Sequence, residues 1–384
     1  MKKKAAVLGS TGSVGTQVLD VCDKTGAQVV FIAAHSNIKQ LLSQIKKFKP
    51  EYCAVTDISA AETLEKQINT ADTRIIKGYD EMCRVLSDID CDIVYNAISG
   101  KNGLLATLSV IKSGKTLALA NKESMVLAGP IVNKTAKEHN CTILPVDSEH
   151  CAIFQCLKSG KKDEVKRILL TASGGPFFGY SFEQLEGVTL EQTLAHPTWN
   201  MGKKITVDSA TLANKGLEII EAMHLFDVSY EKIKVLIHRQ SIVHSMVEYN
   251  DNSVIAQLAV PDMRHPGQYA LTYPDRCDAV IGELDLTKYT LTFAEPDTKA
   301  FKMLSLAQEC AQAGGILPCI YNAANEAAVD LFLQKQIGFN DIYRICAAVL
   351  SDSENQPLHD IEQIIESDKT ARELAYSYKE KFTV

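Results

Sequence analysis

The sequence predicts an α/β protein with an N-terminal doubly wound (Rossmann-like) parallel sheet, an α+β second domain and a C-terminal helical domain. Three observations support this fold class. A glycine-rich turn, Gly9–Gly15, follows the apolar run of residues 5–9. Strand and helix patterns then alternate as far as residue 120, which is typical of a parallel sheet. Beyond residue 300 the apolar residues recur at helical spacing.

The composition is that of an ordinary globular protein, with 384 residues, 46% of them hydrophobic and 23% charged. A net charge of −7 gives no general attraction to nucleic acid or anionic membranes, so we expect neither as a partner. The 11 cysteines include no Cys-x-x-Cys pair, and their odd number favours reduced thiols. The opening lysines lead into a strand without an apolar signal segment. We therefore expect a mature cytoplasmic protein.

The first domain contains six predicted strands separated by helices. The strands are 5–9, 28–34, 52–56, 74–77, 92–98 and 116–120, and the helices run to about residue 24 and over 60–69, 82–88 and 103–113. A further helix is predicted near 131–139, followed by an apolar run, 142–144. Past residue 165 the predicted strands are 165–171, 234–237, 241–249 and 253–260, with intervening loops and one helix. This second pattern favours a largely antiparallel sheet.

The glycine-rich turn predicts a dinucleotide site. Glycines at 9, 12 and 15, between a strand and a helix, let backbone amides approach a pyrophosphate at the helix N-terminus. The alternative is a turn required only for packing. The second strand ends in His35, Ser36 and Asn37, without the acidic residue that would hold the ribose of NAD. With Lys39 nearby, this end of the strand favours NADP.

Polar residues also follow the strand that ends at residue 120. In doubly wound sheets, ligands lie outside the carboxyl ends of the strands. Asn121, Lys122 and Glu123 are therefore expected to meet the nicotinamide end of the cofactor and the substrate. The alternative for Lys122 is an ordinary surface lysine in a loop.

Two acidic stretches predict a metal site. Asp147 and Glu149 are two residues apart, so at strand spacing their side chains point the same way. Glu218 belongs to a predicted helix, and three carboxylates together favour Mg²⁺ or Mn²⁺ over zinc. The alternative is a solvated pair of loop acids beside an ordinary amphipathic helix.

The region around Glu218 also offers groups for an anion. Asp208, Ser209 and Thr211 suit a helix start, and Asn214 and Lys215 stand four and three residues before Glu218, on one side of that helix. Residues three and four apart on a helix are neighbours on its surface, so these side chains are expected to lie side by side. Ser209, Asn214 and Lys215 are thus candidates to hold an anion beside a metal.

Two loops of the second domain have functional and structural interpretations. Thr171–Pro176 follows a strand and offers Ser173 with backbone amides, which suits a phosphate oxygen. Ala195–Gly202 carries Trp199 and Met201 between Pro and Gly, as in an apolar lid that closes over a substrate. The alternative is a loop whose aromatic residue anchors it to the core.

The C-terminal region is predicted to be loop from about 261 to 300 and then helical. The helices are expected over 302–313, 322–335, 340–350 and 358–378. Asn322, Asn325 and Glu326 are interpreted as helix caps or surface residues.

The chain resembles the 1-deoxy-D-xylulose 5-phosphate reductoisomerase family in several long motifs that occur in family order. They are Gly9–Gly15, Ala120–Ser124, Pro145–His150, Thr171–Phe177, His196–Gly202 and Val207–Glu218, with weaker matches at Pro261–Arg264 and Asn322–Glu326. The resemblance implies a cofactor domain over 1–147, a catalytic domain over 148–285 with a mobile lid at 195–203, a C-terminal linker and helical domain over 286–384, and a homodimer.

The resemblance also implies residue roles. Cofactor contacts are implied for Thr11, Gly12, Ser13, Val14, Asn37, Asn121, Glu123 and Gly202. Metal ligands are implied to be Asp147, Glu149 and Glu218. Substrate contacts are implied for Lys122, Ser148, Glu149, Ser173, His196, Ser209, Asn214, Lys215 and Glu218. The catalytic group among these is Lys122, Asp147, Glu149, Glu218 and His196, and His196, Trp199 and Met201 belong to the lid.

Two positions depart from the family pattern. His35 and Ser36 stand where a glycine and a basic residue are expected, which leaves the origin of NADP selectivity open. Gly267 replaces a branched apolar residue after Pro266.

The implied activity is metal-dependent rearrangement of 1-deoxy-D-xylulose 5-phosphate and its reduction by NADPH to 2-C-methyl-D-erythritol 4-phosphate, a step of non-mevalonate isoprenoid precursor biosynthesis. Two other functions remain open at this point. One is a plain NADP-dependent dehydrogenase, which needs no carboxylate metal site. The other is a non-catalytic sensor that binds NADP and regulates a partner.

Overall fold

The computed structural model describes residues 2–68, 72–199 and 201–381. It divides into two compact units. The first contains residues up to Ser124, Val132–Cys151 and Asp262–Glu283, and the second contains Met125–Ile131, Ala152–Pro261 and residues from Leu284 onward. Over the described ranges, no helix combines the length and the apolar character needed to cross a membrane.

The first unit is built on a seven-stranded parallel sheet. Its strands are β1 Lys4–Leu8, β2 Gln28–Ala34, β3 Tyr52–Val55, β4 Arg74–Lys77, β5 Ile93–Asn96, β6 Thr116–Leu119 and β7 Ile143–Pro145. Their order is β4-β3-β2-β1-β5-β6-β7, which confirms the predicted doubly wound sheet. The order reverses at β1, between β2 and β5, and ligands of such sheets bind at that reversal.

The second unit contains a four-stranded sheet. Its strands are β8 Val165–Ala172, β9 Ile233–Ile237, β10 Val243–Tyr249 and β11 Val254–Leu258. The order is β11-β10-β8-β9, with β8 and β9 parallel and the other pairs antiparallel. The prediction of a largely antiparallel sheet is confirmed.

The helices of the described residues are numbered in chain order. They are α1 Ser13–Thr25, α2 Ile38–Phe48, α3 Ile58–Glu65, α4 Tyr79–Asp88, α5 Gly103–Lys112, α6 Glu123–Glu138, α7 Ser148–Cys156, α8 Phe182–Leu185, α9 Leu190–Leu194, α10 Lys203–Thr211, α11 Ala213–Phe226, α12 Arg264–Thr272, α13 Lys302–Ala313, α14 Leu317–Leu333, α15 Phe339–Ser351 and α16 Ile361–Ser377. Five of these, α2, α7, α8, α9 and α12, are absent from the prediction. The predicted helix over 60–69 corresponds to α3, and its last predicted residue, Asn69, lies outside the described residues.

The helix α12 contradicts the prediction of a continuous loop from 261 to 300. Arg264 pairs with Asp262 and, at 3.0 Å, with Asp20 of α1. The buried Tyr95 hydroxyl donates to the carbonyl oxygen of Gly267 over 2.8 Å. These contacts hold a segment whose local sequence, rich in Pro and Gly, favours a loop.

The interpretation of Asn322 and Asn325 as caps or surface residues is wrong. Both lie inside α14 and are fully buried. The Asn325 side-chain nitrogen donates to Oδ1 of Asp208 over 2.8 Å, and Asn322 donates to Glu326 over 3.2 Å. Buried polar groups need such partners, and these residues therefore form part of a polar network within the helical core.

Candidate active site

The glycine-rich loop after β1 has the shape of a pyrophosphate cradle. Gly9 has a φ of +73°, and a Cβ there would overlap the backbone oxygen of Ala97. A Cβ on Gly15 would overlap the backbone of Gly9. Gly12 stands at the N-cap of α1 without a side-chain cap, so the first amides of the helix face an open N-terminus. This turn contains the four residues for which the resemblance implies cofactor contacts, Thr11, Gly12, Ser13 and Val14.

The end of β2 contains no carboxylate, as its sequence shows. His35, Ser36 and Lys39 are exposed there, and His35 Nδ1 lies 2.9 Å from the Thr56 hydroxyl. Asn37 caps α2, because its side-chain oxygen accepts from the Gln40 amide over 3.2 Å. This capping role explains an asparagine at 37 independently of any cofactor contact.

The segment after β6 is buried and tightly bonded. The Asn121 side-chain nitrogen donates to the carbonyl oxygens of Ile98 and Gly100, each over 2.8 Å, and to Glu123 over 3.0 Å. Lys122 is 6% exposed, which excludes the surface-lysine alternative. Its Nζ lies 3.0 Å from Oδ2 of Asp147, so this lysine and this carboxylate are paired within the first unit.

The strand prediction for Asp147 and Glu149 is wrong. The strand β7 ends at Pro145, and α7 begins at Ser148. Asp147 precedes the helix, and its Oδ1 accepts from the amides of Glu149 at 3.1 Å and His150 at 3.3 Å. Capping by aspartate explains why the chain turns helical here. Glu149 lies in the first helical turn, where its carboxylate accepts from the Ser148 hydroxyl.

The helix start predicted at Asp208 is also misplaced. Asp208, Ser209 and Thr211 lie in the last turns of α10, and the helical path breaks at Leu212, with a φ of +61°, before α11. On α11 the predicted spacing is confirmed. Asn214 donates to Glu218 over 2.5 Å, and the buried Lys215 is paired with the same carboxylate.

The loop after β8 brings Ser173 against His196. Ser173 Oγ lies 3.0 Å from Nε2 of His196, and the Gly175 amide donates to Ser173 Oγ over 3.2 Å. Gly174 and Gly175 have φ values of +76° and +63°, which glycine adopts without strain. A Cβ on Gly175 would come within 2.9 Å of the Ser209 carbonyl oxygen, so only glycine lets this loop lie so close to α10.

His196 is held as one neutral tautomer. Its Nδ1 accepts from the backbone amides of Thr198 at 3.1 Å and Trp199 at 2.9 Å, so Nδ1 carries no proton and Nε2–H donates to Ser173. Burial, together with a smaller effect of the nearby Arg239, lowers the pKa of His196 to about 4. At neutral pH the imidazole is a hydrogen-bond donor without charge.

The segment predicted as a lid is only partly described. Its Asn200 lies outside the described residues. Trp199 is half-buried, with its ring centroid 6.3 Å from that of His244. Met201 is half-buried and Gly202 stands at the N-cap of α10.

The described residues contain a group of acids suited to a metal ion. Asp147, Glu149 and Glu218 each offer one carboxylate oxygen, and these oxygens lie within 4.8 Å of one another. An all-oxygen set of carboxylates fits Mg²⁺ or Mn²⁺ rather than zinc.

Two residues near the predicted site were missed by sequence reasoning. The sequence pattern indicates a helix cap or surface residue at Asn325, and it gives no role to Arg239, which follows β9. The NH1 group of Arg239 donates to the carbonyl oxygens of Ser173, at 3.0 Å, and Gly175. The only local signal was the position of Arg239 directly beyond a strand end.

A parallel sheet with a glycine-rich dinucleotide loop at its reversal point, together with a group of carboxylates, is typical of the dinucleotide-dependent oxidoreductases. Family models refine this class. Residues 5–129 match the model of 1-deoxy-D-xylulose 5-phosphate reductoisomerase, and 143–226 and 258–374 match two C-terminal domain models of the same enzyme. The chain belongs to the 1-deoxy-D-xylulose 5-phosphate reductoisomerase family.

Individual relatives agree with this assignment over the full length. A 1-deoxy-D-xylulose 5-phosphate reductoisomerase of Clostridium botulinum (strain Okra / Type B1) is 49% identical over 97% of this chain and 98% of its own. The Zymomonas mobilis enzyme, solved with NADPH, is 40% identical, with a TM-score of 0.92 over 99% of this chain and 100% of that one. A DOX-P reductoisomerase solved with NADPH, fosmidomycin and magnesium is 38% identical, with a TM-score of 0.93 over 98% of each chain.

Proposed function

We propose that this chain rearranges 1-deoxy-D-xylulose 5-phosphate and reduces the product with NADPH to 2-C-methyl-D-erythritol 4-phosphate, using Mg²⁺ or Mn²⁺. The observation that carries the proposal is the group formed by Asp147, Glu149 and Glu218, whose oxygens lie within 4.8 Å of one another. A plain dehydrogenase does not need such a group. Support also comes from the family relatives solved with NADPH and with magnesium.

The three carboxylates are the proposed metal ligands. Asp147 and Glu149 reach their places because Asp147 caps α7 and Glu149 occupies its first turn. Glu218 is held on α11 by Asn214 and Lys215. A bound divalent cation would polarise the adjacent carbonyl and hydroxyl oxygens of the ketose.

The substrate phosphate is assigned to the second unit. Nε2–H of His196 and the hydroxyl of Ser173 are hydrogen-bond donors within 3.0 Å of each other, and the Gly175 backbone packs against that of Ser209. Together with Asn214 and Lys215 they form the proposed phosphate pocket. Binding of the phosphate supplies energy remote from the reacting carbons. That energy holds the fragments during rearrangement and favours the closed lid, which excludes water.

Lys122 and Ser148 are the proposed contacts to the reacting part of the sugar. Lys122 is buried, and its Nζ lies 3.0 Å from the Asp147 carboxylate, which orients the side chain. The proposed rearrangement of the carbon skeleton is a retro-aldol cleavage followed by an aldol addition. A bound NADPH would supply the hydride that reduces the resulting aldehyde. Lys122 stabilises negative charge that develops on the substrate oxygens during these steps.

The dinucleotide is assigned to the first unit. The amides from Thr11 to Val14 receive the pyrophosphate at the N-terminus of α1, where the helix dipole favours an anion. Asn37, Asn121 and Glu123 are proposed as further contacts, and Gly202 of the lid segment completes the assigned set. His35, Ser36 and Lys39, exposed after β2, are the groups available for a 2′-phosphate.

The decisive experiment follows NADPH oxidation at 340 nm with 1-deoxy-D-xylulose 5-phosphate, first with Mg²⁺ and then with chelator. We expect oxidation only when substrate and metal are both present. Oxidation that persists in chelator would favour a plain dehydrogenase. NADPH binding without any turnover by folded protein would favour a sensor and contradict the proposal.

A homodimer is proposed from the second unit. The strand β11 is an edge of its sheet, and its Val254 and Ile255 are 46% and 37% exposed. The segment after residue 284 adds further exposed apolar side chains, Leu286, Tyr289, Leu291 and Phe293. Long apolar edges are normally covered, and a second copy would cover this one. In sedimentation velocity, Ile255→Glu should yield monomers while Ile365→Glu, at another exposed position, should not.

The domain boundaries 1–147, 148–285 and 286–384 remain part of the proposal, as does a cytoplasmic location. The location is supported by 11 free cysteines, because paired cysteines would be expected in an oxidising compartment. Fractionation of the producing cells, followed by activity measurement, would test the location.

A further inference from the structure

The loop that holds Ser173 is fixed from behind by an arginine. The His238 amide donates to the Ala172 carbonyl oxygen over 2.7 Å, so the chain beyond β9 runs beside the start of this loop. The next residue, Arg239, uses one guanidinium nitrogen to donate to two loop carbonyls, those of Ser173 and Gly175. Its guanidinium also lies over the Phe178 ring, 5.3 Å from the centroid.

These hydrogen bonds orient the amide on the other face of the loop. In a trans peptide the carbonyl and the following N–H point in opposite directions. Fixing the Ser173 carbonyl toward Arg239 therefore turns the Gly174 N–H away from the arginine. The φ of +76° at Gly174 permits this orientation. The loop thus presents one backbone donor, the Gly174 N–H, on the side opposite the guanidinium.

Arg239 also contributes a positive charge beside the loop. The predicted ligand is a phosphate dianion, yet His196 is neutral at pH 7 and Lys215 is already paired with Glu218. Over the described ranges, Arg239 forms no ion pair with a carboxylate, and burial lowers its pKa without removing its charge. It is the cation at this loop whose charge is not balanced by an acid.

We propose that Arg239 is a positioning residue for the substrate phosphate, which fixes the Ser173–Gly175 loop through two carbonyl oxygens and supplies the positive potential that the loop needs to hold a dianion. The inference rests on the proposed function, because it concerns the phosphate end of that substrate. It predicts a defect in binding rather than in chemistry, since the guanidinium bonds to the loop and not to the reacting carbons.

Two variants separate the charge of Arg239 from its hydrogen bonds. Arg239→Lys keeps the charge and one donor group, whereas Arg239→Gln keeps donors and loses the charge. Arg167→Gln is the matched control, because Arg167 is a half-exposed arginine on β8 whose partner is Glu248. For each protein KM and kcat are measured by NADPH oxidation with 1-deoxy-D-xylulose 5-phosphate and Mg²⁺. Binding of inorganic phosphate is measured separately by calorimetry.

For Arg239→Gln we expect KM to rise about 10- to 100-fold with kcat changed less than about 3-fold, and phosphate affinity to fall by a similar factor. Arg239→Lys should recover most of this loss, and Arg167→Gln should match the wild type. Equal losses in the Gln and Lys variants, or an unchanged KM in Arg239→Gln, would overturn the role of the charge.

The calorimetric arm keeps this inference distinct from the proposed function. If the wild type binds phosphate and Arg239→Gln does not, the inference holds even where the wild type shows no turnover, and only the assigned reaction fails. If the wild type turns over and both proteins bind phosphate equally, the assigned reaction holds and the inference is overturned.

Discussion

The two glycine-rich loops of this protein are both proposed to bind phosphate groups, but different structural elements complete them. The Gly9–Gly15 loop, in the first unit, is made of local backbone, and the open N-terminus of α1 completes it. The Thr171–Pro176 loop, in the second unit, is completed by side chains distant in sequence. His196 reaches Ser173 from 23 residues away, and Arg239 reaches it from 66 residues away.

This difference has a physical origin. A helix N-terminus offers several aligned amides and a favourable dipole, so an anion can be held without a charged side chain. The loop after β8 leads into a segment whose helices, α8 and α9, have four and five residues, and neither helix begins at the loop. It therefore depends on the Nε2–H of His196 and on the charge of Arg239. We expect the two loops to be separable by mutation.

The largest expected effect is a loss of turnover on changing the metal group, with NADPH binding at the Gly9–Gly15 loop unaffected. Glu149→Gln removes one of three proposed carboxylate ligands and should lower metal-dependent turnover about 1000-fold, since a lost charged ligand weakens both metal binding and transition-state stabilisation. NADPH affinity, measured by fluorescence titration, should stay within about 2-fold because the Gly9–Gly15 loop is untouched.

Glu366→Gln, at an exposed position on α16, provides the control and should retain full activity. Unchanged turnover in Glu149→Gln would remove Glu149 from the ligand set. A parallel loss of NADPH binding would show that the metal site and the NADPH site are coupled, so that the two loops could not be separated by mutation.

The second prediction concerns a substitution that distorts the Gly9–Gly15 loop. A Cβ on Gly15 would overlap the Gly9 carbonyl, so Gly15→Ala must displace the loop or the start of α1. We expect NADPH affinity to fall about 100-fold, measured by the same titration, with binding of inorganic phosphate to the second unit retained.

Gly187→Ala is the matched control, since a Cβ there would meet nothing within 4 Å. Wild-type NADPH affinity in Gly15→Ala would show that this loop does not hold the cofactor. The comparison of two phosphate-binding loops would then no longer apply.

The same contrast explains what the sequence could predict. The doubly wound sheet, the dinucleotide loop and the spacing of Asn214, Lys215 and Glu218 are local patterns, and the structure has the sheet, the loop geometry and the paired side chains. Ser173 was placed in its loop correctly, because a strand followed by Ser-Gly-Gly is also a local signal.

The errors lie where short-range and long-range interactions compete. Asp147 capping α7 overrode the strand pattern that continued from β7. The break at Leu212 split a stretch that reads as one helix start. Arg239 and Asn325 act through residues more than 60 positions away, at the Ser173 loop and at Asp208, and no periodicity records such contacts.

The third prediction concerns the hydrogen bond between Asn325 and Asp208, which lies next to the Ser209 backbone that packs against the Thr171–Pro176 loop. Asn325 donates to the buried Asp208, which also pairs with Lys204 at 2.9 Å and precedes Ser209. Asn325→Ala leaves an acceptor of Asp208 unsatisfied and should lower the free energy of unfolding by about 1–3 kcal/mol. Urea unfolding followed by circular dichroism measures this change.

Asn355→Ala serves as the control, because Asn355 is exposed and makes only a long bond of 3.5 Å. If Asn325→Ala is as stable as this control, the contact with Asp208 contributes nothing to the fold, and the second loop needs less distant support than we infer.

The smallest expected effect is a pH dependence at His196. Its pKa of about 4 in the folded protein lies below the ordinary value of 6.5, since burial and the nearby charge of Arg239 both disfavour the charged ring. The unfolded chain therefore binds a proton between pH 6.5 and about 4 that the folded protein does not bind. Stability from this residue is present above pH 6.5 and is lost as the pH falls through that window.

Replacing the imidazole should remove this contribution to acid sensitivity. Between pH 7 and pH 5, His196→Gln should lose less unfolding free energy than the wild type, by about 1 kcal/mol after allowance for its partial exposure. The exposed His359→Gln should lose as much as the wild type. Identical pH profiles for wild type and His196→Gln would mean that His196 is protonated as easily as a free histidine. The second loop would then carry a positive charge of its own at mildly acidic pH, and its dependence on Arg239 would weaken there.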